Sequence, residues 1–206
     1  KGKAIETGSD AFLRDSDDKL QLDTHGDFTW TAMIRGEGQG NILSKSDENW
    51  APGNKGLFVR DTELGFDVGW IGAGGGGPDL TDNEWHHIAV TSQTVDGETT
   101  QNFYVDGNVV GSSSLPVLDQ PDAGLFAIGY GSDDFPEIGD LGDQDTNSYV
   151  GLIDEVRVYR SALIQDDVVA LMLDAGGSVT PPSITDHPTD TSVTRGRTAR
   201  IRVTTA

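Results

Sequence analysis

Phe28-Thr29-Trp30-Thr31-Ala32-Met33-Ile34-Arg35 alternates with a period of two. Phe28, Trp30, Ala32 and Ile34 fall on one face; Thr29, Thr31, Met33 and Arg35 fall on the other. Successive side chains of an extended chain point to opposite sides, so this stretch is a half-buried strand with Trp30 in the core. Downstream, residues 41–45, 56–60, 64–70, 85–92, 125–130 and 149–159 read as further strands. Residues 101–106 and 108–112 form a hairpin through Asp106-Gly107, a pair suited to the positive φ angles of a two-residue turn. Short strands with turn signals between them define an all-β sandwich or barrel.

One helix is expected after the last strand. Ser161 would cap its entry, Val168, Val169, Leu171, Met172 and Leu173 form an apolar face, and Gly176-Gly177 ends it. Pro181-Pro182 then marks a linker, and residues 192–204 alternate again, with Ala199, Ile201 and Val203 on one side. The expected organisation is a domain over 1–176, a linker over 177–182 and a fragment of a second domain over 183–206. Because Lys1 opens directly into domain sequence, the chain reads as a piece of a longer protein.

The 206 residues carry 34 acidic and 14 basic side chains, a net charge of −20. Such a balance argues against nucleic acid and anionic membranes as partners. The tail 181–206 differs, with Arg195, Arg197, Arg200 and Arg202 against Asp186 and Asp190. No apolar run approaches the roughly 20 residues of a membrane span. Cysteine is absent, so no disulfide staples the fold.

Four segments, in this order, resemble the laminin G-like family of concanavalin A-like jelly rolls. They are 11–22 followed by 27–34, Ile42-Leu43-Ser44-Lys45, Glu84-Trp85-His86-His87-Ile88-Ala89-Val90-Thr91 with Tyr104-Val105-Asp106-Gly107, and 151–160 (GLIDEVRVYR). The resemblance implies a two-sheet antiparallel jelly-roll sandwich with one short C-terminal helix. It also implies an extracellular module that binds glycans or serves as a spacer in a surface protein. Glu6-Thr7-Gly8 stands where the family often has aromatic-Asp-Gly, the Asp of which helps hold a structural Ca²⁺, and Met33 stands where Trp is frequent. The tail resembles the opening of a bacterial immunoglobulin-like domain, on Pro182, Ile184, Pro188, Val193, Gly196, Ala199 and Val203.

For a cation, Asp143-x-Asp145-x-Asn147 is the best motif, because oxygen ligands at alternate positions can converge on one Ca²⁺. Asp154 falls twelfth in that loop. Alternation also puts it on the same strand face as Leu152, Val156 and Val158, where a carboxylate needs a cation, an arginine or backbone N–H groups unless a bulge turns it outward. Asp133, Asp134, Glu137 and Asp140 crowd the preceding loop, either as a ligand site or as solvated charge.

For a sugar, exposed aromatic rings stack on C–H faces while carboxylates and amides take hydroxyls. Trp50 and Trp70, in a loop and at a strand end, are the candidate stacking residues, with Phe135 a third and Asp133 and Asp134 as hydroxyl partners. Trp85 reads as structural. Arg35 and Arg60 face away from the apolar sides of their strands, solvated or engaging an anionic ligand. The run Gly74–77 lacks the context of a phosphate loop and reads as a flexible turn near a binding face. His86 and His87 are strand neighbours whose rings diverge, so they cannot share one zinc.

Enzymatic readings lack their residues. A glycosidase needs two carboxylates across the scissile bond, and Asp154 and Glu155 are neighbours pointing apart. No Gly-x-Ser-x-Gly elbow and no cysteine nucleophile is present. The expectation is a non-catalytic recognition module, Ca²⁺-stabilised and binding a polysaccharide or glycoconjugate. The alternative is a structural or adhesive spacer that contacts another surface protein, and a hydrolase ranks behind both.

Overall fold

A computed structural model describes residues 3–8, 13–14, 27–116, 123–132 and 147–178, with the short strands Ile184–Asp186 and Thr204–Thr205. The strands are β1 (Ile5–Thr7), β2 (Leu13–Arg14), β3 (Phe28–Gly36), β4 (Gly40–Ser46), β5 (Lys55–Arg60), β6 (Glu63–Val68), β7 (Ile71–Gly75), β8 (His86–Val95), β9 (Glu98–Val105), β10 (Asn108–Pro116), β11 (Leu125–Ile128) and β12 (Gly151–Tyr159). Helix α1 (Gln165–Ala175) follows, and β13 (Ile184–Asp186) pairs with β14 (Thr204–Thr205).

Two six-stranded antiparallel sheets face each other, in the orders β1-β12-β3-β8-β9-β10 and β2-β11-β4-β5-β6-β7. This is the expected two-sheet antiparallel sandwich with a single short helix. Phe28, Trp30, Ala32 and Ile34 point into the core as the alternation requires. Opposite them lie Leu57, Val59, Leu64, Phe66 and Val68. The Trp30 ring meets Phe66 and Phe126 edge-on at centroid distances of 5.4 and 5.6 Å, geometries favoured by the aromatic quadrupole.

The other face of β3 is not left to water. Ala89 and Tyr104 on the outside of the first sheet pack with Val168 of α1 and Leu163, and Thr29 and Thr31 are buried too. Ser161 does not cap the helix: the cap is Ile164, with no side-chain bond. Thr29 positions the approach instead, its Oγ1 donating to the Ser161 carbonyl at 2.8 Å and accepting the Leu163 N–H at 3.0 Å. The far end follows expectation. Gly176 adopts φ 99°, its N–H donates to Leu173 O, and Gly177 N–H donates to Met172 O, the bonds of a left-handed helix stop.

Two expectations along the strands need correction. Gly74 and Gly75 belong to edge strand β7 rather than to a turn. A Cβ on Gly75 would sit 2.8 Å from the Gly111 nitrogen, so glycine on both strands lets the edges of the two sheets close on each other. The second correction lies in β12, where Asp154 pairs with Met33 but the next registered pair is Arg157 with Thr31. One extra residue is inserted there, and Glu155 takes φ 49°. The phase flips at this bulge. Ile153 points into the core before it, and Val156 and Val158 pack against the core after it. Asp154, outside that flip, faces outward.

Candidate functional site

The outer face of the second sheet carries Phe58 and Arg60 on β5, Glu63, Gly65 and Asp67 on β6, and Gly72 and Gly74 on β7, by the registers Phe58↔Gly65↔Gly74 and Gly56↔Asp67↔Gly72. Gly72 and Gly74 leave β7 bare, while Gly65 is buried under a ring. A Cβ on Gly65 would stand 2.5 Å from the Phe58 ring, so that ring lies directly on the backbone. The result is a groove of about 250 Å³, with Phe58 and Gly65 at its base, Gly72 and Gly74 open, and Arg60 and Glu63 at its rim. Arg60 is half exposed, with Asp61 at 3.9 Å. Arg60 and Glu63 flank a two-residue turn in which Asp61 and Thr62 have φ of 56° and 99°. Gln39 Oε1 accepts the Asp61 N–H at 2.9 Å and braces that turn.

The tryptophans sort differently from the expectation. Trp50 is only 4% exposed and packs on Phe58, which removes it as a stacking platform: a loop ring beside a bare sheet gains more by covering it than by facing water. Trp70 is 55% exposed, at the tip of the β6–β7 turn rather than in a strand. Its φ of 72° is unusual for a bulky residue. It stands at the end of the hairpin opposite the groove, three residues along β6 and so roughly 10 Å away. Trp85, read as structural, is 38% exposed. Two braces present it. Asp82 Oδ1 accepts the Glu84 N–H at 2.8 Å, and His86 is held between Asp106 Oδ2 at 2.8 Å and Asp82 Oδ1 at 3.2 Å. No periodicity in 79–85 signals this, because the exposure follows from the side-chain braces.

His86 and His87 diverge as neighbours on a strand must. His87 is buried on the outer side of the first sheet, its Nε2 3.0 Å from Thr31 Oγ1. Burial pulls its pKa down to about 4. The Asp106 hydrogen bond pushes that of His86 up.

Of the residues expected to bind a cation, Asp143 and Asp145 lie outside the described residues, as do Asp133, Asp134 and Phe135 of the ligand set. Asn147 is buried where the acidic loop rejoins the sandwich. Its Nδ2 donates to Ser132 O at 2.8 Å, and its carbonyl accepts Asn41 N–H at 2.8 Å. This one residue ties both ends of the 133–146 loop to β4. Asp154 is not at that stem. It faces outward on the first sheet beside Met33, Trp85 and Glu155, and its Oδ1 accepts the Glu155 N–H at 2.8 Å. Asp154, paired with β3 of the first sheet, is not brought to the Asn147 stem, which is tied to β4 of the second. Among the described residues no three Asp, Glu, His or Cys side chains converge on a metal position. Thr7, in the place of the family's Asp, is buried and donates from Oγ1 to Gly151 O at 3.2 Å.

A two-sheet jelly roll with one face capped by a helix and a side-chain-poor groove on the other is a lectin-type sandwich. The chain belongs to the concanavalin A-like lectin/glucanases superfamily, whose laminin G-type model matches residues 7–169. Among solved structures it is similar to a heptameric SAP-like pentraxin from Limulus polyphemus (19% identity, 84% of this chain and 82% of that one, TM-score 0.58). Domain 4 of the extracellular arabinanase AbnA from Geobacillus stearothermophilus, in complex with arabinotriose, is another likeness (19%, 82% and 76%, TM-score 0.57). A third is the CBM40 of the Ruminococcus gnavus IT-sialidase bound to α2,3-sialyllactose (11%, 82% and 96%, TM-score 0.60). At these identities the likeness is one of fold. No curated protein matches the chain. No helix among the described residues is long and apolar enough to cross a membrane.

Proposed function

We propose that the chain is a non-catalytic carbohydrate-recognition module of a larger extracellular protein, with its sugar site in the groove on the second sheet. The observation that carries this reading is the open strand of Gly72 and Gly74 with Arg60 and Glu63 at the rim, over a base in which Phe58, 4% exposed, is packed rather than presented. A pyranose or furanose is a flat, amphipathic body. Its C–H face needs an apolar surface without projecting side chains, and its hydroxyls need a donor and an acceptor at the edge. Arg60 supplies N–H donors and Glu63 supplies acceptors. Among the described residues lining the groove Glu63 is the one carboxylate, whereas glycoside hydrolysis takes two. The sugars in two of the similar structures support a glycan over other ligands. Trp70, at the far end of the same hairpin, extends the site for a longer chain.

Calcium belongs to this proposal as a structural ion of the acidic loop. Asp143 and Asp145 would hold it, near the Asn147 stem. The stem fits a hard cation: Asn41 Oδ1 and Ser132 Oγ are buried there with no hydrogen-bond partner among the described residues. When bound, the ion would neutralise the loop's carboxylates and lock its ends. Residues 183–206, of which only β13 and β14 are described, are proposed as the start of an immunoglobulin-like domain, a layout in keeping with a multidomain surface protein.

The test is calorimetric titration of the whole chain with arabinotriose, sialyllactose and a panel of plant, algal and host oligosaccharides. One class should bind saturably, and Arg60→Ala and Glu63→Gln should each weaken it about tenfold, the scale of one hydrogen bond to a charged group. Trp70→Ala should reduce affinity for long chains more than for short ones. Silence across the panel would favour the alternative of an adhesive spacer, to which the burial of Trp50 already lends some weight.

A further inference from the structure

A second concavity lies on the opposite sheet, where the C-terminal end of α1 overhangs β3 and the β12 bulge. Two adjoining cavities of about 600 and 160 Å³ share Met33, Trp85 and Gly176. Met33 forms the floor and is 7% exposed; Trp85 forms a wall and is 38% exposed. Asp106 lines the larger cavity, and Asp154 and Glu155 line the smaller.

The charged side chains that line the cavities are acids; Glu155 is paired with Arg157 and Asp106 with His86, and Asp154 accepts only a backbone N–H. Among the described residues no lysine or arginine lines either cavity, and the last turn of α1 has no basic residue to offset the partial negative charge of a helix C-terminus. An aromatic face beside carboxylates and a helix end attracts a cation through the ring quadrupole as well as through charge. The same wall already accommodates a guanidinium on its outer side: Arg157 Nη2 donates to Glu155 Oε2 at 2.8 Å and to Asp174 Oδ2 at 2.6 Å. Preorganisation favours binding further. The chain on either side of Trp85 is held by the bonds of Glu84 and His86, and the bulge that follows Asp154 is fixed by that residue's own side-chain bond to Glu155 N–H. Little ordering entropy is left to lose when a ligand arrives.

We propose that this cleft binds an arginine or lysine side chain presented by an extended segment of a partner polypeptide. The cationic head lies between Trp85 and Asp154, and its aliphatic stem lies along Met33. This site is on the other sheet from the sugar groove and does not depend on it.

The experiment follows the indole N–H resonance of Trp85 in the whole chain, assigned by Trp85→Phe, during titration with an acetylated, amidated Gly-Arg-Gly peptide. A Gly-Gln-Gly peptide serves as the uncharged control. The expected result is a saturable shift with the arginine peptide, at least fivefold weaker with the glutamine peptide and weakened again by 0.5 M salt. Asp154→Asn should weaken arginine binding at least threefold. Asn keeps the oxygen that accepts the Glu155 N–H, so this variant removes charge without removing the bond that shapes the bulge. Equal shifts with both peptides, no shift at all, or full affinity in Asp154→Asn would each overturn the proposal. So would a Trp85 shift that tracks protein concentration without peptide, which would assign the cleft to a second copy of the chain.

Discussion

His86 and His87 occupy consecutive positions on β8 and answer to opposite forces. His87 is buried against Thr31, and desolvation pulls its pKa down to about 4. In the unfolded chain it titrates at 6.5. The unfolded state therefore binds a proton that the folded state refuses between those two values, and this contribution to stability falls as pH drops from about 6.5 to about 4, in total by on the order of 3 kcal/mol. His86 has the other sign. Asp106 and Asp82 raise its pKa, so its contribution is complete below the unfolded value and is lost as pH rises through the folded one. Urea midpoints at pH 7.0 and 4.5 separate the two residues. His87→Met keeps an apolar filler of similar size but cannot titrate, so the drop in stability between those pH values should shrink by a kcal/mol or more. An unchanged drop would mean that carboxylates account for it all. At this same scale the sequence was read well where strand alternation decides orientation, as at Trp30 and for the diverging histidines. It was read poorly where one side chain chooses between water and a neighbour. Trp50 lies down on Phe58 and Trp85 stands braced at a cleft, and the difference is made by partners far away in the chain, such as Asp106 for His86 beside Trp85.

Elements were legible in proportion to how local their causes are. The β9–β10 hairpin was readable from Asp106-Gly107 because positive φ at both positions, 49° and 75°, is a property of the turn itself. The helix stop was readable from Gly176-Gly177 for the same reason. Its start was not, because Thr29 on β3 does the positioning, 132 residues from Ser161. Edge strand β7 was missed because glycine reads as a breaker, whereas here Gly75 is required by the approach of Gly111. The β12 bulge leaves no mark in alternation until the register is known, and it decides which way Asp154 points. The helix stop yields a clean expectation. At Gly176, with φ 99°, a Cβ is strained whatever the surrounding space, so Gly176→Ala should cost about 1–2 kcal/mol. Gly176→Asn should cost less, since Asn tolerates left-handed backbone. Chemical denaturation of the two variants beside the parent chain checks the order, and equal stability of all three would show that the helix end relaxes out of that conformation.

For the molecule as a whole, the net charge of −20 is the largest electrostatic fact. Carboxylates held on a compact surface repel one another more than on an expanded chain, so sodium chloride should raise the melting temperature until screening is complete, near 0.2 M where the Debye length is about 7 Å. Calcium at a real site acts by a different law. It stabilises by mass action, about 2.7 kcal/mol at one hundred times its dissociation constant, whether or not salt has already screened the surface. The comparison therefore belongs at 0.2 M sodium chloride, with millimolar CaCl₂ set against MgCl₂ at equal ionic strength. A further rise with calcium alone is expected, and Asp143→Asn combined with Asp145→Asn should abolish it while leaving the sodium response intact. Asp154→Asn should change nothing, because that carboxylate faces outward on the first sheet, whereas the Asn147 stem is tied to β4 of the second. If calcium and magnesium act alike, the acidic loop is solvated charge, and the buried oxygens of Asn41 and Ser132 need another explanation. A calcium rise that survives the double substitution but disappears with Asp154→Asn would put the ion beside Trp85, where it would compete with the cationic side chain proposed for that cleft.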